Sequence, residues 1–375
     1  MNNKYEPLFK SLTLPNGVEV RNRFVLAPLT HTSSNDDGTI SDIELPYIEK
    51  RSKDVGIAIN AASNVNDVGK AFPGQPSVAH DLDIEGLKEL AQVMKKNGAK
   101  AIVQIHHGGA QALPELTPDG DVVAPSAISL KSFGQQEEHD AREMTAEEIE
   151  QTIRDFGEAT RRAIEAGFDG VEIHGANHYL IHQFVSPYYN RRNDVWADNY
   201  KFPIAVIDEV IKAKKAHAND DFIIGYRLSP EEAESPGISM EITEELIHQI
   251  ANKPLDYIHV SLMDVNSVTR EGKYKGENRL KLIHQWINGR MPLIGIGSVF
   301  TAEDALNAVE NIGVEFVALG REILLDYDFV AKIKEGREDE IINAFDPNRE
   351  DQHYLTPNLW EQFNQGFYPL PRKDK

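Results

Sequence analysis

Short apolar runs rich in β-branched residues recur along the chain and are separated mostly by segments with helical periodicity. The eight runs are RFVLAP (23–28), IAINAA (57–62), KAIVQI (100–105), DGVEIH (169–174), FIIGYRLS (222–229), YIHVSL (257–262), PLIGIGS (292–298) and FVALGR (316–321). Near-continuous apolar strands of this kind suit a parallel sheet that is covered by helices. Because eight strand–helix repeats close a barrel, the pattern predicts an α/β fold, the (β/α)8 TIM barrel.

The segments between the runs carry recognisable helix ends. Thr145 is followed three residues later by Glu148, which is the capping-box pattern for a helix start, and Gly167 marks the end of that helix. Thr301 with Asp304 repeats the start signal after the seventh run. These signals predict helices before the fourth strand and after the seventh.

Two segments depart from the strand–helix rhythm. Residues 107–144, between the third strand and its helix, contain Pro114, Pro118 and Pro125 and show little helical pattern, so we expect an excursion over the barrel mouth. The tail from about 345 to 375 is rich in aromatic residues and prolines, and we expect it to pack on the barrel or on a partner subunit, which leaves a homo-oligomer open. Since no low-complexity linker interrupts the chain, the sequence predicts one domain over residues 1–375.

The composition narrows the chemistry and the partners. Cysteine is absent, which excludes disulfides, thiolate zinc sites, cysteine nucleophiles and cysteine-ligated iron–sulfur clusters. The formal charge of -21 opposes binding to nucleic acid or to an anionic membrane through a general electrostatic field. The N-terminus has no apolar core of signal-peptide length, and no apolar segment is long enough to span a bilayer. We therefore expect a soluble cytoplasmic protein.

Polar side chains occur at the C-terminal ends of the predicted strands, where barrel enzymes carry their chemistry. Strand alternation directs Val171 and Ile173 towards the helices and their neighbours towards the barrel interior. Four polar residues are expected to converge there, namely Thr30, Gln104, His174 and Arg227, and Glu172 shares the inward face with His174. Any one of them alone is more often a satisfied interior polar group than a functional one. Their convergence from several strands indicates a functional site.

Glycines follow the seventh and eighth strands. LIGIGSV contributes Gly295, Gly297 and Ser298, and VALGRE contributes Gly320 and Arg321. Accessible backbone N–H groups, a helix start and a guanidinium group together favour a phosphate, and barrels commonly bind phosphate in these two loops. Each glycine by itself would serve equally well as a turn residue. In combination with Arg321 they indicate a phosphate site.

The histidines raise the question of a metal site. His174 and His178 have the spacing H-x-x-x-H, but a zinc protease needs this pair on a helix with a glutamate beside the first histidine, and here Gly175 follows a strand. A site that includes His106 and His107 stays open, although no cluster of aspartates or glutamates accompanies it at the strand ends. We therefore expect no metal, and His178 is left without a role.

The ordered motifs resemble those of the Old Yellow Enzyme family of FMN-dependent ene-reductases over essentially the whole chain. The matching pieces are NRFVLAPLT (22–30), GIAINAAS (56–63), VQIHHGG (103–109), AGFDGVEIHGANHYLIHQFVSP (166–187), the strand that ends in Arg227, GIGSV (295–299) and ALGRE (318–322). The pattern H-x-x-N-x-Y is specific when these other pieces surround it in order. The resemblance implies a (β/α)8 barrel with FMN at its mouth and with NADH or NADPH as the reductant.

The resemblance also implies a role for each matching residue. The flavin ring would be lined by Ala27, Pro28, Leu29, Thr30, Ala62, Gln104 and Arg227, and the phosphate would be held by Gly297, Ser298, Gly320 and Arg321. His174 and Asn177 would donate hydrogen bonds to the oxygen of an enone or nitro compound. Tyr179 would give the proton to the carbon next to the carbonyl group, while the flavin delivers hydride to the β-carbon.

Two other functions are weighed against this ene-reductase. A flavin-binding sensor or storage protein would keep Thr30, Gln104 and Arg227 but would have no need of a proton donor such as Tyr179. A phosphate-binding lyase or isomerase would want a Schiff-base lysine or paired carboxylates at the strand ends, where only Glu172 is found. The motifs therefore favour an FMN-dependent NAD(P)H oxidoreductase that reduces activated alkenes.

Overall fold

The computed structural model describes residues 2–373, and its centre is a closed barrel of eight parallel strands. The barrel strands are β1 (Phe24–Leu26), β2 (Ile57–Ile59), β3 (Lys100–His106), β4 (Gly170–Gly175), β5 (Ile223–Leu228), β6 (Tyr257–Val260), β7 (Leu293–Ile296) and β8 (Phe316–Leu319). Each strand pairs in parallel with the next, and β8 pairs with β1. The predicted (β/α)8 TIM barrel is confirmed, and each predicted run contains or overlaps one of these strands.

Helices surround the barrel in the expected alternation. They are α1 (Glu44–Ser52), α2 (Ile84–Lys95), α3 (Ala146–Glu165), α4 (Leu180–Val185), α5 (Lys201–His217), α6 (Met240–Ile250), α7 (Arg279–Ile287), α8 (Ala302–Asn307), α9 (Arg321–Leu325), α10 (Phe329–Glu335), α11 (Glu350–His353) and α12 (Pro357–Gln365). Both predicted capping boxes form, since the hydroxyl groups of Thr145 and Thr301 accept hydrogen bonds from the backbone N–H groups of Glu148 and Asp304. Among residues 2–373, no helix is long and apolar enough to cross a membrane.

The apolar core has two layers, which follow from the alternation of side chains along each strand. Val171 and Ile173 belong to the layer between the strands and the helices, as predicted. Ile102, Ile223 and Tyr257 belong to the layer that fills the barrel interior. A hairpin of Leu12–Thr13 and Glu19–Val20 adds apolar side chains to the inner layer from the N-terminal end of the barrel. The interior is therefore packed, and space for a ligand occurs at the opposite, C-terminal end.

The segment 107–144 contains a structure that the sequence did not predict. It has three short 3-10 turns, and it forms a three-stranded sheet from Val123–Ala124, Ile128–Leu130 and His139–Glu143. A small apolar cluster that includes Ala112 and Ala141 supports this sheet. The C-terminal tail packs on the barrel of its own chain through the buried side chains of α12 and through backbone contacts near residue 369.

Candidate active site

Two adjoining cavities open at the C-terminal ends of the barrel strands. The larger has a volume of about 600 Å³ and the smaller a volume of about 300 Å³. They share Asn177, Arg227, Met263 and Tyr368 in their walls, so they form one elongated cleft. A cleft of this shape suits a ligand with a broad ring at one end and a charged group at the other.

The structure brings nearly all of the predicted site residues to this cleft. The larger cavity is lined by Pro28, Thr30, Ala62, Gln104, His174, Asn177, Tyr179 and Arg227. The smaller cavity is lined by Leu29, Gly297, Ser298, Gly320 and Arg321. Ala27 differs from the others, because its side chain is buried in the inner layer of the barrel and lines neither cavity.

Glu172 organises the polar floor of the larger cavity. Its Oε1 accepts a hydrogen bond of 2.7 Å from Gln104 Nε2, and its Oε2 lies 2.9 Å from His259 Nδ1. Burial alone would raise the pKa of Glu172, but His259 and then Arg227 act in the opposite direction, and the net result is a pKa below its usual value. An ionised carboxylate only accepts hydrogen bonds, so Glu172 must receive the NH2 group of Gln104. The Oε1 atom of Gln104 is then free to accept a hydrogen bond from a ligand.

Arg227 provides a buried positive charge beside Glu172. Its Nη2 donates a 3.1 Å hydrogen bond to Ser261 Oγ, while its Nε is buried and has no partner among residues 2–373. Burial lowers the pKa of Arg227, and the charge of Glu172 opposes that shift. A guanidinium group stays charged in such a place. Arg227 lines both cavities, so its guanidinium group offers a charged donor to a ligand that binds there.

Asn177 is held by two hydroxyl groups in a left-handed backbone conformation, with φ of 57°. Its Oδ1 accepts hydrogen bonds from Ser261 Oγ at 2.8 Å and from Ser229 Oγ at 3.3 Å, and its backbone N–H donates to Ser229 Oγ at 2.9 Å. Since these contacts use the oxygen of the amide, the NH2 group is left to donate to a ligand in the cavity.

His174 and Tyr179 stand together beside His106. The ring centre of Tyr179 lies 4.3 Å from that of His106 and 5.2 Å from that of His174. Burial, and secondarily the neighbouring His106, holds the pKa of His174 well below its usual value, so its imidazole is neutral. Burial raises the pKa of the Tyr179 hydroxyl to about 12, with Arg227 acting against this shift. Both residues therefore present neutral hydrogen-bond donors to the cavity at neutral pH.

The smaller cavity has the features of an anion site. Arg321 Nη2 donates to Ser298 Oγ at 3.2 Å, and its Nη1 donates to Pro369 O at 2.9 Å. Within the described part of the chain no carboxylate lies within ion-pair distance of Arg321, so its charge is available to an anion. Gly297 adopts φ of 127°, and a Cβ there would lie 2.4 Å from the backbone nitrogen of Asp264. Only glycine fits at this position.

Several residues of the site were not predicted from the sequence. His259 and Ser261 lie on the inner face at the end of β6, and the alternation in YIHVSL was a signal that could have found them. Phe133 of the segment 107–144 and Tyr368 of the tail also line the larger cavity, and the Tyr368 hydroxyl donates to the backbone oxygen of Thr30 at 3.2 Å. No local pattern predicts contacts between residues so far apart in the chain.

Comparison with known proteins identifies the family. The model of the NADH:flavin oxidoreductase / NADH oxidase family matches residues 7–340. The chain belongs to this family. As a member of the Old Yellow Enzyme family, it is an FMN-dependent oxidoreductase that uses NADH or NADPH and acts on small molecules.

Two relatives and one solved structure illustrate the match. The probable NADH-dependent flavin oxidoreductase YqiG of Bacillus subtilis (strain 168) is 49% identical over 375 residues, covering 98% of this chain and 99% of the relative. The NADH:fumarate oxidoreductase of Klebsiella pneumoniae (strain 342) is 38% identical, but its match covers 95% of this chain and only 38% of the relative. Morphinone reductase in complex with tetrahydroNAD is 25% identical, with a TM-score of 0.74 over 88% of this chain and 91% of that chain.

Proposed function

We propose that this NAD(P)H oxidoreductase reduces activated alkenes, namely enones and nitroalkenes, and that Tyr179 supplies the proton. The observation that carries the proposal is the convergence of three neutral donors, His174, Asn177 and Tyr179, on the cavity that also holds Gln104 and Arg227. A protein that only stored or sensed flavin would have no use for this set of donors. The names of the relatives agree with this substrate class, since fumarate is an alkene conjugated to carbonyl groups.

The polar groups of the cleft fit FMN. Arg227 lines the larger cavity as a charged donor, and the Gln104 amide, which Glu172 fixes, lines it as an acceptor. A donor and an acceptor of this kind match the pyrimidine edge of a flavin. Arg321, Ser298 and the backbone at Gly297 would hold the phosphate. Bound FMN would supply the hydride chemistry between NADH or NADPH and the alkene.

His174 and Asn177 would stabilise the developing enolate or nitronate. The carbonyl or nitro oxygen of the substrate accepts hydrogen bonds from the neutral imidazole and from the NH2 group of Asn177. Negative charge grows on that oxygen as hydride arrives at the β-carbon, so both hydrogen bonds strengthen in the transition state. Ser229 and Ser261 fix the Asn177 amide before the substrate enters, which spares the cost of reorienting it.

Tyr179 would donate the proton that completes the reduction. Its ring is held by His106 and His174, which fixes its position in the wall of the cavity. Proton transfer from the phenol to the α-carbon neutralises the enolate and leaves a phenolate near the charged Arg227. Arg227 stabilises that phenolate, since its charge lowers the pKa of Tyr179 against the larger effect of burial. Solvent then restores the proton. The chain thus contributes orientation, charge stabilisation and a proton.

The pKa of Tyr179 predicts how the rate depends on pH. A tyrosine donates a proton only below its pKa, and burial raises that of Tyr179 to about 12. An exposed tyrosine, with a pKa of about 10, would lose half of its activity at about pH 10. We expect the rate of enone-dependent flavin reoxidation to stay level between about pH 7 and about pH 10 in stopped-flow measurements. A fall with a midpoint below about pH 10 that disappears in Tyr179→Phe would contradict this assignment.

The phosphate assignment predicts a loss of cofactor affinity in Arg321→Ala. A hydrogen bond to a charged group contributes about 1.5–3 kcal/mol, so the Kd for FMN should rise by about 10-fold to 100-fold. The Kd is measured by titrating the apoprotein with FMN and following the quenching of flavin fluorescence. Arg337→Ala is the matched control, because this arginine lies at the surface and its ion-pair partners among residues 2–373 are Glu335 and Glu340. Equal affinities in the two variants would refute the assignment.

The visible absorption spectrum tests the proposal as a whole. Purified protein should show the spectrum of oxidised flavin and release FMN on denaturation, and NADH should bleach it under anaerobic conditions. Addition of 2-cyclohexenone should then restore the spectrum. A protein that is bleached by NADH but not reoxidised by any activated alkene would instead be a sensor or storage protein.

We further propose that residues 1–375 form a single FMN-binding domain and that the enzyme works in the cytoplasm, where NADH and NADPH are produced.

A further inference from the structure

Two histidines and a glutamate meet beside the proposed active site and have no part in the reaction described above. They are His178, between Asn177 and Tyr179, His182 on α4, and Glu232 on the loop after β5. One nitrogen from each histidine and one oxygen of the glutamate lie within 4.8 Å of one another. We propose that this cluster binds a divalent cation of the zinc class.

The geometry of the cluster is close to that of a three-ligand metal site. Glu232 Oε2 lies 2.7 Å from His182 Nε2 and 3.6 Å from His178 Nδ1. A cation that replaces the proton between these atoms would be bound by two nitrogens and one oxygen, the ligand types that zinc takes in two-histidine, one-glutamate sites. A water molecule would complete a tetrahedral set.

The surroundings of Glu232 hold it in place for a ligand role. Its second oxygen, Oε1, accepts hydrogen bonds from the Ser186 hydroxyl and, at 2.7 Å, from the backbone N–H of Ile238. Such contacts orient a carboxylate and leave the other oxygen free for a metal. The side chains of His182 and Glu232 are fully buried, while that of His178 is 26% exposed, which gives an ion a path from solvent.

The negative charge of buried Glu232 also favours a bound cation. Glu232 is buried, and among residues 2–373 its ion-pair partners are only His178 and His182, with no lysine or arginine. A buried carboxylate without a permanent counter-charge is costly, and a divalent cation would neutralise Glu232.

The backbone at His178 supports a specific role for this side chain. Its φ is 60° and directly follows the left-handed Asn177, a conformation that glycine adopts without strain and other residues adopt at a cost. A histidine is therefore retained at a position where glycine would be more stable locally. Bound zinc would link His178 in the 177–179 turn to Glu232 in the loop after β5. This link would help to position the neighbouring Asn177 and Tyr179.

Zinc binding by the purified holoenzyme tests this inference without reference to turnover. The protein is freed of metals with EDTA and titrated with ZnCl2 by isothermal titration calorimetry, and its zinc content after desalting is measured by mass spectrometry. We expect one zinc per chain and a rise in Tm on zinc addition. His178→Gly suits its backbone and keeps the contacts of Glu232 with His182, Ser186 and Ile238. It should therefore fold, bind zinc at least about tenfold more weakly and lose the rise in Tm.

His80→Ala is the control for adventitious binding at surface histidines. His80 is exposed and lies 2.8 Å from Asp67, so it offers a histidine and a carboxylate that are not part of the cluster. This variant should bind zinc as the parent protein does, and Glu232→Gln should bind it as poorly as His178→Gly. Absence of saturable one-to-one binding in the parent protein would overturn the proposal. Unchanged binding in both cluster variants would overturn it equally.

Discussion

Replacing Tyr179 with phenylalanine is expected to slow enone-dependent reoxidation of the reduced enzyme by about 100-fold to 10,000-fold and to leave reduction by NADH nearly unchanged. Only the second half of the cycle needs a proton on the α-carbon. Phenylalanine keeps the ring contacts with His106 and His174, so the wall of the cavity should stay in place. Anaerobic stopped-flow absorbance separates the two half-reactions.

Tyr226→Phe is the matched control for this experiment. Tyr226 is also a fully buried tyrosine, but it packs in the outer layer of the barrel, and its hydroxyl has no hydrogen-bond partner among residues 2–373. Both half-reactions of this variant should run at the parental rates. An equal loss in the two half-reactions of Tyr179→Phe, or no loss in either, would argue against the proton-donor role.

Replacing Asn177 with aspartate is expected to lower the rate of enone reduction by about 100-fold to 1,000-fold. The carboxylate can still accept the hydrogen bonds from Ser229 and Ser261, so the turn should keep its conformation. The change removes the NH2 donor and places a negative charge where negative charge grows in the transition state. Steady-state kinetics with 2-cyclohexenone measures the loss, and titration with 4-hydroxybenzaldehyde measures the affinity for a phenolate that mimics the enolate.

Ser229→Ala provides the comparison for Asn177→Asp. It removes one of the two hydroxyl groups that fix the amide but keeps the NH2 donor and the second contact from Ser261. Its effect on turnover should therefore be much smaller than that of the aspartate variant. If Asn177→Asp reduced enones and bound the phenol as the parent protein does, then the amide could not be the oxyanion donor.

The barrel was predictable from the sequence because its strands and helix ends carry local signals. Strand alternation placed Glu172 inside and Val171 outside, and the structure agrees with both. The three-stranded sheet in 107–144 was not predicted, since strands such as Val123–Ala124 are too short to show a period. Its presence depends on tertiary contacts that a single sequence does not display.

The polar groups of the site were only partly predictable for the same reason. Arg227 stood out at the end of a strand, whereas Tyr368 enters from a tail 338 residues beyond its partner Thr30. Sequence spacing pairs His178 with His174, which precedes it at a distance along the chain typical of metal ligands. The structure instead groups His178 with His182 and with Glu232, which is 50 residues beyond His182. Spacing indicates which residues share an element, but distant loops complete the site.

Anaerobic reoxidation of the NADH-reduced enzyme by activated alkenes tests whether the enzyme reduces such alkenes. Enzyme reduced with one equivalent of NADH is mixed with 2-cyclohexenone, with a nitroalkene or with fumarate, and the flavin absorbance and the product are followed together. We expect an enone or nitroalkene to restore the oxidised flavin within the turnover time and to yield one equivalent of saturated product. A flavin that stays reduced with all three alkenes until oxygen is admitted would contradict it.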